Sequence, residues 1–194
     1  MSIFSKAAFW LMVTSSLAVA LMSYRFFPLG IDASFAQLGA AVLDPRLPFV
    51  VHVVSAPVAL ATGAWQFFSG IRKKRPRFHR WSGRIYGLAI LLGGLSGLIM
   101  ALYSPERPLA AVGFGLLAIL WLWFTAKAIW YARQRNFATH RAMMIRSFAL
   151  TFAAVTLRLQ LPFLLSDGSN YMEISHIVAW TCWVRRFGWE FFSR

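Results

Sequence analysis

The sequence predicts an all-α integral membrane protein, a single domain over residues 1–194 built as a bundle of about six transmembrane helices with both termini cytoplasmic. Three observations lead there. Of the 194 residues, 59% are hydrophobic and only 13% charged, with a mean hydropathy of +0.59; a soluble domain carries about 25% charged residues. Apolar runs of about 20 residues recur, the length that crosses a bilayer. The basic residues fall in short clusters between those runs, which accounts for the net charge of +14 without nucleic acid as a partner. The lone Cys182 excludes an internal disulfide or a cysteine metal cluster, and six acids leave little room for paired-carboxylate chemistry.

Residues 7–27 form the first apolar run after Lys6. Ala18-Val19-Ala20 resembles a signal-peptide cleavage site, but the run continues to Phe27, which favours an uncleaved anchor. A loop from Pro28 to Asp44 leads to a second span, about Leu47 to Gly70, that contains His52. The stretch Arg72-Lys-Lys-Arg-Pro-Arg-Phe-His79-Arg80 follows, with Pro76 suited to a first helical turn, where its missing N–H has no partner to lose. The third span runs to about Tyr103 and the fourth from about Leu109 to Tyr131. After Arg133-Gln-Arg-Asn-Phe-Ala-Thr139, where Asn136 or Thr139 suits a helix cap, the fifth span runs from His140 to about Leu165. Ser166-Asp-Gly-Ser-Asn170 breaks the chain before a shorter last span, about Tyr171 to Val184, that ends in Arg185-Arg186.

Charge sets the expected orientation. With six spans and a cytoplasmic N-terminus, all of the 20 basic residues except Arg25, Arg46, Arg107 and Arg158 lie on the inside. Asp32, Asp44, Glu106, Asp167 and Glu173 lie on the other side. This is the positive-inside pattern, with anionic lipid headgroups as the partners of the cytoplasmic face.

The membrane-embedded polar residues are the candidate site. His52 and His176 fall near the outer face, and His79 and His140 in the first, cytoplasmic turns of spans three and five. Each alone reads as an interfacial histidine. As two pairs they suggest axial ligation of haem b iron, which needs neutral imidazoles from facing helices at one depth. Gly83, Gly87, Gly94 and Gly97 fall on one face of span three, open either to a flat ring or to close helix packing. Arg158 lies about two turns inside the fifth span, where an unpaired guanidinium costs at least about 2 kcal/mol. Asp44, Glu173 or Gln160 are its candidate protein partners. A propionate, a quinone or an anionic substrate is its candidate functional partner. His140, Ser147, Ala154 and Arg158 line one face of that span. Arg84 and Arg146 lie five and six residues after the inner histidines, suggesting a diverged repeat of spans two–three and four–five.

The set His52, His79-Arg80-x-x-Gly83-Arg84-x-Tyr86, His140-Arg141-x-x-Met144-x-Arg146-Ser147 and Thr156-Leu157-Arg158 resembles a bacterial family of predicted multi-pass membrane proteins of unknown function, over about residues 48 to 165. The resemblance implies a helical protein of the bacterial inner membrane in which these positions matter, and it implies no activity. His176 matches no motif of the family. Its members tend to end in a Trp-Val-Pro-Asn type segment, where this chain has Trp183-Val184-Arg185-Arg186. A looser likeness is to two-haem b-type membrane cytochromes. Three expectations stand together: a haem-binding electron-transfer protein with a quinone or redox partner; a cofactor-free binding or transport protein for an anionic ligand or lipid; and a non-catalytic membrane subunit.

Overall fold

The computed structural model describes residues 3–38, 45–104, 107–166 and 168–184. Those residues form helices and turns, with no strand among them. In chain order the helices are α1 (Ile3–Ser23), α2 (Phe26–Leu29), α3 (Ile31–Ser34), α4 (Arg46–Gln66), α5 (Ser69–Lys74), α6 (Pro76–Leu102), α7 (Pro108–Arg133), α8 (Phe137–Thr151), α9 (Ala153–Leu164) and α10 (Tyr171–Thr181), with a 3-10 turn at Ala36–Leu38.

Local chemistry places the boundaries. Pro76 and Pro108 open α6 and α7. The Asn136 side chain caps α8 by accepting from the Thr139 N–H at 3.2 Å. Asn170 and Glu173 form a reciprocal capping box on α10, each side chain accepting from the other's backbone N–H at 3.1 Å. The turn from α7 into α8 closes with Asn136 N–H on Tyr131 O at 3.0 Å and Arg135 N–H on Ala132 O at 3.1 Å. Arg135 holds φ +60° there, the left-handed position where glycine ordinarily ends a helix. Arg135→Gly therefore relieves about 1 kcal/mol of backbone strain, and thermal unfolding in detergent is expected to shift up by a few degrees.

Among the described residues, five segments are long and apolar enough to cross a membrane: Lys6–Leu29, Arg46–Gln66, Pro76–Leu102, Pro108–Arg133 and Phe137–Leu164. The sixth expected span is different. Its helix, α10, has 11 residues, about 16 Å at 1.5 Å per residue and half of a 30 Å hydrocarbon core. It packs on α7 and α9. The second span also differs: α4 stops at Gln66, and the basic residues begin on the separate six-residue helix α5.

The most extensive packing is between α4 and α6; α7 lies on α6 and carries α8 on another side, and α1 covers α4. Small residues allow the close approach. A Cβ on Gly63 of α4 would sit 2.6 Å from the Phe148 ring and 2.7 Å from Tyr86. The glycines of α6 divide between two neighbours. Gly83 and Gly97 border Gln66 and His52 of α4, whereas Gly87 and Gly94 border Ile129 and Leu122 of α7. Side chains fill the glycine face, so it serves helix packing in place of a ring slot.

Candidate functional site

The structure sorts the polar membrane residues into three levels. At the end of the bundle that carries the basic turns, His79 and His140 open α6 and α8, half-buried, and lie near enough to interact electrostatically. His140 Nδ1–H donates to Ala128 O of α7 at 2.8 Å. That bond fixes the tautomer and leaves Nε2 as the free ring nitrogen. The two arginines expected to assist them are placed otherwise. Arg84 is exposed and stacks on Trp81, 5.1 Å from the ring centre, and Arg146 lies against Met143 Sδ at 3.8 Å.

A buried hydroxyl network occupies the middle of the bundle. The Tyr86 hydroxyl of α6 lies 2.8 Å from Ser147 Oγ and 3.0 Å from Thr151 Oγ1 of α8. Thr125 Oγ1 of α7 lies 2.7 Å from Ser147 Oγ, and the Trp121 indole N–H donates to Thr151 Oγ1 at 2.8 Å. Thr125 and Thr151 also donate to the carbonyls of Trp121 and Ser147. The network ties three helices together without a charge. Tyr86→Phe removes two contacts but leaves Ser147 and Thr151 with other partners. Interhelical bonds in membranes average about 0.6 kcal/mol, so we expect that substitution to cost about 1 kcal/mol, read as a small fall in thermal midpoint. Ser147 and Tyr86 were legible in the sequence as parts of motifs. Thr125 and Trp121 were hidden among the apolar residues of α7.

At the opposite end lies the most unusual charge. Arg158 of α9 is six residues from the end of its helix, about 9 Å inside. Its Nη1 donates to Ala154 O and its Nη2 to Ser23 Oγ of α1, both at 3.0 Å. Neither acceptor is charged. The partners expected from the sequence are engaged elsewhere or out of view: Glu173 serves the α10 capping box, Gln160 pairs with Thr181 of α10 at 2.9 Å, and Asp44 lies outside the described residues. Arg25, Tyr171 and His52 lie within electrostatic reach of Arg158. Arg25 donates from Nη2 to Ser34 O at 2.6 Å and stacks over Phe35 at 5.4 Å. Tyr171 is buried, and its hydroxyl makes no hydrogen bond among the described residues; Ser34 Oγ is also buried without a partner. An aromatic cluster of Phe26, Phe35 and Phe49 adjoins them.

His52 belongs to this level. Its Nδ1–H donates to Gly93 O of α6 at 2.8 Å, and its ring fills the space over Gly97. His176, its expected outer partner, is exposed on α10. The stripe of His140, Ser147, Ala154 and Arg158 is divided as well. Its first two members face α7 and α6, while Arg158 reaches α1, because the helix is interrupted at Phe152 between α8 and α9. Among the described residues no three of His, Cys, Asp and Glu gather as metal ligands.

No curated protein and no solved structure matches the chain, so the looser likeness to two-haem cytochromes gains no support there. A family model does match, across residues 49–187. That range takes in the inner histidines, the hydroxyl network and Arg158, and covers well over half of the chain: it belongs to the family described as predicted membrane protein (DUF2306).

Proposed function

We propose that this multi-pass membrane protein binds an amphipathic organic anion, a carboxylate or phosphate with an apolar body, in the outer half of its bundle. It does so as a binding or transport protein. The observation that carries the proposal is Arg158, a guanidinium inside the bundle whose two hydrogen bonds both go to neutral oxygens. A guanidinium has five N–H donors, and among the described residues three of them are unclaimed, which suits a ligand. Arg25 supplies a second positive charge, Tyr171 a hydroxyl without a hydrogen bond among the described residues, and the buried Phe26–Phe35–Phe49 cluster apolar surroundings. Among the described residues no carboxylate pairs with Arg158, and an intramembrane cation in that setting is expensive to keep and marks a functional position. The orientation comes from the positive-inside rule: the basic turns at Arg72–Arg84 and Arg133–Arg141 lie in the cytoplasm of a bacterial inner membrane, and Arg158 lies near the outer face. The experiment is a thermal-unfolding screen in neutral detergent with organic carboxylates, phosphates and uncharged analogues of equal size. Anions, and not the analogues, should raise the midpoint of the wild-type protein. Equal responses to both would reject the proposal.

A second function has its own observation. One haem at the cytoplasmic end, between His79 and His140, is favoured by the bond from His140 Nδ1–H to Ala128 O, the outer contact that orients a ligating imidazole. His52, held over Gly97, and exposed His176 are apart from that centre. A haem there would supply one-electron transfer to a quinone or other redox partner, with the two histidines holding its iron. Reduced-minus-oxidised spectra of protein purified from haem-replete cells test it. His79→Ala and His140→Ala should remove the same component, and a colourless folded preparation excludes it.

A further inference from the structure

At the basic end of α7, far from Arg158, Lys127 sits between two tryptophans. Its Nζ lies 4.9 Å from the centre of Trp123 and 5.0 Å from that of Trp130. These residues and Ala126 line a shallow cleft of about 240 Å³ on the outside of the bundle. Lys127 is six residues from the end of α7, so its Cα lies about 9 Å inside the helix end. Among the described residues no carboxylate pairs with it. Neither the Trp123 nor the Trp130 indole N–H donates to an acceptor there, although the indoles of Trp121, Trp180 and Trp183 all do. An ammonium and two indole N–H groups, none with an acceptor among the described residues, therefore lie on one lipid-facing patch.

We infer that Lys127, Trp123 and Trp130 form a binding site for one anionic phospholipid of the cytoplasmic leaflet. The phosphate accepts from the ammonium and the ester oxygens accept from the indoles, while the π faces hold the ammonium in register. The rest of the helix fits the occupant. Leu116 and Ile119 are 40% and 50% exposed and continue the same face away from the cleft. Half of a 30 Å core corresponds to about ten residues of helix, so an acyl chain running from Lys127 ends near Leu116. Arg133 and Arg135, exposed at the end of α7, add positive charge where a headgroup would lie.

Native mass spectrometry of the full-length protein, with added phosphatidylglycerol or phosphatidylcholine, tests this. The wild type should retain phosphatidylglycerol in preference to phosphatidylcholine. Lys127→Gln should reduce that preference about fivefold, the contribution of one interfacial cation. The double variant Trp123→Phe/Trp130→Phe keeps the apolar surface and removes the indole donors, and it should weaken retention too. Lys73→Gln, on the exposed helix α5, should leave the preference intact. An unchanged preference in Lys127→Gln, or equal losses in Lys127→Gln and Lys73→Gln, would overturn the inference. So would a change in oligomeric mass with lipid preference preserved, which would make this face a contact between copies.

Discussion

Arg158→Leu is expected to leave the ligand-free protein as stable as the wild type, or more so, while abolishing its response to anions. The guanidinium is held at the end of the bundle opposite the basic turns by two neutral acceptors. Its net burden is at least about 2 kcal/mol unless a counter-charge or water relieves it. Leucine at the same place suits a membrane-embedded helix. Ser23 is not stranded by the change, because its hydroxyl already donates to Val19 O at 2.7 Å. Replacing a desolvated charge by an apolar side chain should therefore gain about 1–2 kcal/mol, a rise of several degrees in thermal midpoint. A residue kept against stability is one kept for binding. If instead Arg158→Leu lowers the midpoint by several degrees, Arg158 is a strut that joins α9 to α1.

Gly63→Ala should have the opposite sign and the largest structural effect. The added Cβ would meet Phe148 at 2.6 Å and Tyr86 at 2.7 Å. Neither ring has room to move. Tyr86 is 1% exposed and pinned through its hydroxyl to α8, and Phe148 is 4% exposed and packed against Phe67 and Phe152. Overpacking of this kind costs about 2–3 kcal/mol, or about 5–10 °C in thermal midpoint. Gly70→Ala is the control, since nothing lies within 4 Å of a Cβ there. Equal stability of the two variants would mean that the α4–α6–α8 junction is looser than described.

Five spans were legible because an apolar run of about 20 residues has few fates outside a bilayer. The last was legible as a shorter apolar run over about Tyr171–Val184; what the sequence did not show is that its start is set by the Asn170–Glu173 capping box and that it packs on α7. Arg158 stood out in the sequence as a charge in an apolar run, whereas its partner Ser23 lies 135 residues away and belongs to α1. Hydrophobic patterning carries no record of which helices become neighbours. The same reason hid the junction of Tyr86, Trp121, Thr125, Ser147 and Thr151, each an ordinary residue in its own helix. The glycines of α6 were correctly placed on one face, but only the packed bundle reveals that this face straddles the groove between α4 and α7.

The most direct test is equilibrium binding of the anion that gives the largest stabilisation of the wild type, measured by titration calorimetry in detergent on the wild type and on Arg158→Gln. A charge-assisted hydrogen bond contributes about 1.5–3 kcal/mol, so loss of the guanidinium should weaken affinity about 10- to 100-fold. Arg25→Gln should weaken it by a smaller factor, and an uncharged analogue should bind both proteins equally poorly. An affinity unchanged in Arg158→Gln would contradict anion binding at this site.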